Sequence, residues 1–263
     1  MHPHPIVTKA EWIEARRALL AQEKELTRRR ERLAQERRTL PWIRIDKPYV
    51  FDGPDGKVTL SELFGGRSQL MIKHFMMGPG AATQCVGCSF EVDHIAGILV
   101  HLNHHDVTYA VVARAPIEEI EIVRKRMGWT FPWVSSYGSD FNYDFDVSFR
   151  RADVAAGRAL YNFAPAPHWT AEIGDLSGRS VFFKDEDGAI YLTYASFARG
   201  GEENLTAYAI LDAMPKGRQE NGPYHSLGDW VRPHDRYGEG GLVEPNGRYH
   251  AAGCECAAHP HER

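Results

Sequence analysis

Four cysteines stand in two close pairs, Cys85-Val86-Gly87-Cys88 and Cys254-Glu255-Cys256. Two thiols this near each other can exchange electrons with a disulfide, give a metal two ligands, or fill apolar space as small side chains. The pair at 85 and 88 follows "QLMIKHFM" (69–76), a nearly continuous apolar run of the kind found in a central strand covered on both faces. A Gly/Pro loop, Gly78-Pro79-Gly80, ends that run, and "SFEVDHIAGILVHLNHHD" after it has the period of a helix. Cys85 is therefore expected just after a buried strand, and Cys88 inside the first turn of the next helix. Backbone N–H groups and the helix dipole favour a thiolate there. Cys85 is read as the nucleophile and Cys88 as the resolving thiol, which closes a Cys85–Cys88 bridge and releases the product. No cation stands next to the pair in sequence, so no extreme lowering of either pKa is expected.

The other class of chemistry is a soft-metal site, zinc or copper, on the same scaffold. Its ligands would be Cys85 and Cys88, with His94 or the tail residues Cys254, Cys256, His259 and His261. The redox reading requires no cofactor. For the tail pair alone, metal binding, a thiol relay to the Cys85–Cys88 disulfide and incidental thiols all stay open. His101 and His105, one helical turn apart, fit interaction with helix-end carbonyls better than chelation. His74, inside the apolar run, is read as a satisfied core histidine. The aromatic segment "GWTFPWVSSYGSDFNYDF" offers one wall of a substrate pocket through Trp133, Ser135 and Asp140, with Thr83 beside the cysteine loop.

These groups need elements to position them. Trp12, Leu19, Leu26, Leu33 and Leu40 recur every seven residues, which predicts one helix over 8–40 with a narrow apolar stripe. The companion heptad positions are Ala15, Gln22, Arg29 and Glu36, which argues against a free two-stranded coiled coil. The stripe should lie on the domain body or a sister subunit, making a homodimer the simplest assembly. "VTYAVVARA" reads as a second buried strand, and "PIEEIEIVRKRMGW" as a helix opened by Pro116. "SVFFKDEDGAIYLTY" is a hairpin around Asp187-Gly188, and "GEENLTAYAILDAM" a last helix. The order gives an α/β fold with a mixed sheet. The divisions expected are a helical extension at 1–41, the main domain at 42–237 and a loosely held Cys/His tail at 238–263.

"HFMMGPGAATQCVGCSF", "VTYAVVARAPIEEIEIVRKRMGWTFPWVSSYGSDFNYDF", "SVFFKDEDGAIYLTYASFARG" and "DWVRPHDRY" resemble one large bacterial family over roughly residues 8–237. It is a thioredoxin-like group catalogued as domain of unknown function eight-nine-nine. The resemblance implies a thioredoxin-like fold and dithiol–disulfide oxidoreductase activity. Two departures stand out. Where thioredoxins carry a proline before the third central strand, this chain has Leu176-Ser177-Gly178-Arg179-Ser180. The spacing Pro79-x-x-x-Thr83-x-Cys85 resembles the peroxiredoxin pattern but is one residue short, so peroxide stays open as an oxidant beside a disulfide.

The net charge of -4 gives no general reason to expect nucleic acid or anionic membrane as a partner. Residues 9–38 carry ten Lys/Arg against six Asp/Glu, so the helix is near +4 and the remainder near -8. The first residues lack the apolar core of a signal peptide, and no apolar run is long enough to span a bilayer. The cytoplasm is the expected compartment, and disulfides or small-molecule oxidants the expected substrates.

Overall fold

Thr8 starts the first helix by a reciprocal cap. Its hydroxyl accepts the Glu11 N–H at 3.3 Å, and the Glu11 carboxylate accepts the Thr8 N–H at 2.9 Å. In the computed structural model, which describes residues 4–81, 83–244 and 246–253, this helix is α1 (Lys9–Arg38). At 1.5 Å per residue it is about 45 Å long. None of its residues is buried, and Trp12, Leu19, Leu26 and Leu33 lie exposed along it. It belongs to the first of two units, Met1–Trp42; the second is Ile43–Arg263.

The second unit opens with β1 (Ile43–Ile45), the hairpin β2 (Val50–Gly53) and β3 (Gly56–Thr59), and α2 (Leu60–Leu63). Next come β4 (Gln69–His74), α3 (Val86–Asp93), α4 (Leu99–His104), β5 (Val107–Ala113), α5 (Ile117–Arg126) and β6 (Trp133–Ser135). Short pieces follow: α6 (Phe141–Asp144), α7 (Arg151–Ala155), β7 (Leu160–Tyr161), β8 (Ala164–Pro165) and α8 (Thr170–Ile173). The hairpin β9 (Gly178–Lys184) and β10 (Ile190–Phe197), α9 (Thr206–Asp212), β11 (Leu242–Val243) and β12 (Tyr249–His250) complete the list.

Eight strands form one sheet in the order β1-β10-β9-β4-β5-β6-β2-β3. β4 runs parallel to β5 and antiparallel to β9, and β9 is antiparallel to β10. The centre of the sheet is thus β5-β4-β9-β10, with helices crossing over between β4 and β5 and α9 following β10. This is a thioredoxin-like fold, with the cysteine pair directly after the central strand. Gly188, at φ +85°, makes the tight turn between β9 and β10.

Strand alternation sends successive side chains to opposite faces of the sheet. Tyr109, Val111 and Ala113 of β5 join Cys85, Cys88, Val92, Ile120 and Trp133 on one side. Ala110 and Val112 join Leu70, Ile72, Phe141 and Phe182 on the other. Both faces of β4 and β5 are covered, as their continuous apolar runs require.

Two expected helices differ in extent. The helix after the cysteines breaks between α3 and α4, through a 3-10 turn at Ala96–Ile98. The cause is local: the His94 ring takes the Phe90 carbonyl at 2.6 Å, the bond that the next helical N–H would make, and Gly97 is a weak helix former. The last helix begins only at Thr206, because Ala198–Asn204 is wound as 3-10. No helix among the described residues is long and apolar enough to cross a membrane.

Candidate active site at Cys85 and Cys88

Cys85 is the N-cap of α3, with extended backbone dihedrals of -63° and 125°, and its Sγ accepts the Cys88 N–H at 3.5 Å. A thiol here does what Ser or Asp does at other N-caps, taking up a backbone donor that the helix leaves unpaired. Cys88 lies three residues on, facing the sheet, and its Sγ accepts the Met76 N–H at 3.5 Å. Both thiols are free, and both are nearly closed off, with Cys85 6% exposed and Cys88 2%.

Beneath them lies a charge that the local sequence around the pair does not announce. Lys73 of β4 is fully buried, and alternation turns it to the cysteine face of the sheet. Its ammonium pairs with Glu91 of α3 and donates to the Ser177 hydroxyl at 2.5 Å. Burial disfavours its charge, but the Glu91 carboxylate, with Cys88, more than offsets this and holds its pKa above the ordinary value. The pair has no cation beside it in sequence, but a strand residue twelve positions upstream of Cys85 brings one to it in the fold. The two thiols share a proton unequally. The hydrogen bond from Cys85 and, against burial, the Lys73 ammonium pull the Cys88 pKa down to about 7. The same bond, with burial, pushes Cys85 well up. Of the two thiols, Cys88 therefore gives up its proton the more readily.

Cys85 borders the outside through a pocket of about 20 Å³ lined by Met76, Gly78, Ile173, Asp175, Asn246 and Arg248. Asp175 accepts bonds from Arg114 Nε at 2.5 Å and the Ser148 hydroxyl at 2.6 Å. Arg114 also donates to the Tyr143 hydroxyl at 2.9 Å, so its cation is engaged by its neighbours.

The remaining sequence-stated residues fall elsewhere. Thr83 lies partly buried in the cysteine loop. Trp133 is core, in the cluster that contains both cysteines. The Ser135 hydroxyl donates to the Ala115 carbonyl at 2.6 Å, and Asp140 is an exposed partner of Lys47 and Arg150. None of these four lines the pocket at Cys85. His94 has both ring nitrogens occupied, Nδ1 donating to Phe90 and Nε2 accepting the Ala207 N–H at 3.1 Å, which removes it from a ligand set with Cys85. Among the described residues no group of three His, Cys, Asp or Glu could hold a metal ion. Cys254, Cys256, His259 and His261 lie outside the described residues. His74 faces away from the cysteines, its Nε2 2.8 Å from the Ser180 hydroxyl.

Lys73 and Glu91 are the functional candidates that motif reading passed over. The signal was a lysine in a run expected to be covered on both faces, since such a charge demands a buried partner.

A family model described as "Bacterial protein of unknown function (DUF899)" matches residues 1–237. No curated protein matches the chain in sequence. Among solved structures, the chain is similar to a cysteine-to-serine mutant of PrxQ from Xylella fastidiosa, with 16% identity, a TM-score of 0.41, and coverage of 62% of this chain and 88% of that one. It is similar to peroxidoxin BcpB from Mycobacterium tuberculosis at 14% identity and a TM-score of 0.39, covering 61% and 93%. A mutant of peroxiredoxin Q from Xanthomonas campestris gives 17%, 0.40, 62% and 90%.

Proposed function

The chain belongs to the bacterial family of unknown function DUF899, and from that premise we propose that it is a thiol–disulfide oxidoreductase whose dithiol is Cys85 and Cys88. The observation that carries this is the placement of the two free thiols, one capping the helix and the other lying by a buried ammonium. Cys85 borders the pocket and so meets the substrate. Its proton passes to Cys88, leaving the Cys85 thiolate held by the Cys88 N–H. Cys85 attacks one sulfur of a substrate disulfide. The Cys85–substrate bond forms, the substrate S–S bond breaks, and the departing thiolate takes a proton from solvent.

The second half needs Cys88 as a thiolate again. Cys85, now a disulfide sulfur, no longer donates to it, so it is the buried Lys73 ammonium that favours loss of that proton. Cys88 attacks Cys85 Sγ, forming the Cys85–Cys88 disulfide, and the second substrate sulfur leaves and is protonated. The substrate gains two electrons and two protons; the chain gives up two electrons and the single proton of its thiol–thiolate pair, and solvent supplies the other proton. An external thiol reductant returns the pair to its starting state.

The test is reduction of a model disulfide by the full-length chain. Cys85→Ser should lose turnover, and Cys88→Ser should stop at a mixed disulfide on Cys85, visible as added mass. Unchanged turnover in Cys85→Ser would end the reading.

A further inference from the structure

The tail expected to be loose from residue 238 instead closes over Cys85. β11 and β12 pair antiparallel, Leu242 with His250 and Val243 with Tyr249. Val243 and Tyr249 are buried against Val86, Phe90, Leu205, Tyr208 and Val231. The Tyr224 hydroxyl donates to the Val243 carbonyl at 2.5 Å, and the Tyr249 hydroxyl to the Gly240 carbonyl at 2.7 Å. The turn between the strands is tied by the Gly247 N–H to the Glu244 carbonyl at 2.8 Å and the Arg248 N–H to Asn246 Oδ1 at 2.9 Å.

Its inner edge lies on the cysteine loop. The Val86 N–H donates to the Gly247 carbonyl at 2.8 Å, and Arg248 stands opposite Cys85 in an antiparallel bridge. Gly247 has φ +85°, and a Cβ built there would be 2.9 Å from Cys85 Sγ. The pocket left beside that sulfur, about 20 Å³, has room for about one water. A sulfur bonding to Cys85 must come to about 2.05 Å and brings its own Cβ with it. The closed arrangement leaves no place for both.

We propose that residues 242–244 and 246–250 form a strap that occupies the groove where a disulfide-bearing, extended polypeptide docks, and that Cys85 exchanges only after the strap lifts. The strap is held at Cys85 and Val86 by main-chain pairing, which any extended segment reproduces whatever its side chains. A glycine, Gly247, lies against the sulfur, where a Cβ would be 2.9 Å from it, so the groove is filled there without a side chain. The substrate class is thus a disulfide carried on extended chain, which takes over the Val86 N–H as it enters. This inference rests on Cys85 being the exchanging thiol.

The experiment uses the full-length chain with Cys88, Cys254 and Cys256 each changed to Ser, so that Cys85 is the one thiol. The probe is a short unstructured peptide whose cysteine is activated as a thiopyridyl disulfide; attack by Cys85 joins the peptide to the chain and releases thiopyridone. Gly247→Val cannot keep the strap shut, and Tyr249→Ala removes its buried anchor. Both should speed release at least about tenfold, the change expected when about 1.4 kcal/mol of local closure is lost. Protection of the Val86 amide from exchange in the parent, lost in both variants, is the companion readout and needs no reactive thiol. Equal release rates in parent and variants would overturn the strap, as would an unprotected Val86 amide in the parent. Faster reaction with iodoacetamide but not with the peptide disulfide would overturn the docking groove. Turnover of the four-cysteine chain is scored separately, so a gated but catalytically idle Cys85 is distinguishable from an ungated one.

Discussion

Lys73 sits fully buried between a carboxylate and a thiol, where its removal has two separate effects. Lys73→Met leaves Glu91 charged with no partner, and breaking such a buried pair costs about 3–5 kcal/mol. It also takes away the ammonium that helps Cys88, so the lowest thiol pKa should rise from about 7 toward the ordinary range. A urea unfolding midpoint reads the first effect, and the pH dependence of thiol alkylation the second. Pairing Lys73→Met with Glu91→Leu should recover much of the stability but leave the thiol pKa raised. Its neighbour His74 points to the opposite face, where burial, with Lys73, holds its pKa near 3 against an ordinary 6.5. The unfolded chain takes up this proton below pH 6.5 and the folded chain does not. Stability from this group is therefore complete above 6.5 and lost as pH falls toward 3, about 2 kcal/mol of it by pH 5. His74→Gln, which does not titrate, should flatten the dependence of the unfolding midpoint on pH over that range.

At the scale of elements, α1 makes the clearest demand for something to cover it. A 30-residue helix with no buried residue carries Leu19, Leu26 and Leu33 on one stripe. We propose that a second copy covers that stripe; the full-length chain should then run at twice its single-chain mass. Leu26→Glu combined with Leu33→Glu should return it to one chain, as measured by light scattering; equal masses for both proteins would discard the pairing. Elements with a local cause were legible in the sequence. The seven-residue stripe marked α1, the apolar run at 69–76 gave β4, and Asp187-Gly188 gave the β9–β10 turn. The break between α3 and α4 was not legible, because it depends on a histidine ring competing for one carbonyl.

Over the whole molecule, what stayed hidden was contact between distant parts of the chain. Cys85 and Cys88 could be placed at a helix start from the residues around them. The Lys73–Glu91 pair joins a strand to a helix across the cysteine loop, and helical period alone marked Glu91 as one more polar position. Gly247 and Arg248 meet Cys85 from some 160 residues downstream, inside a segment whose polar, Gly-rich composition reads as loose. Composition reports the average fate of such a stretch, whereas two buried anchors, Val243 and Tyr249, decide this one.

That late arrival sets an order in time. A chain leaving the ribosome presents β4, β5, β9 and β10 first, and domains assemble from the N-terminal side as they emerge. Residues 246–250 come out after every strand of the central sheet. For that interval the strap proposed above is missing from beside Cys85, and on that proposal the youngest molecules are the ones whose thiol an oxidant reaches soonest.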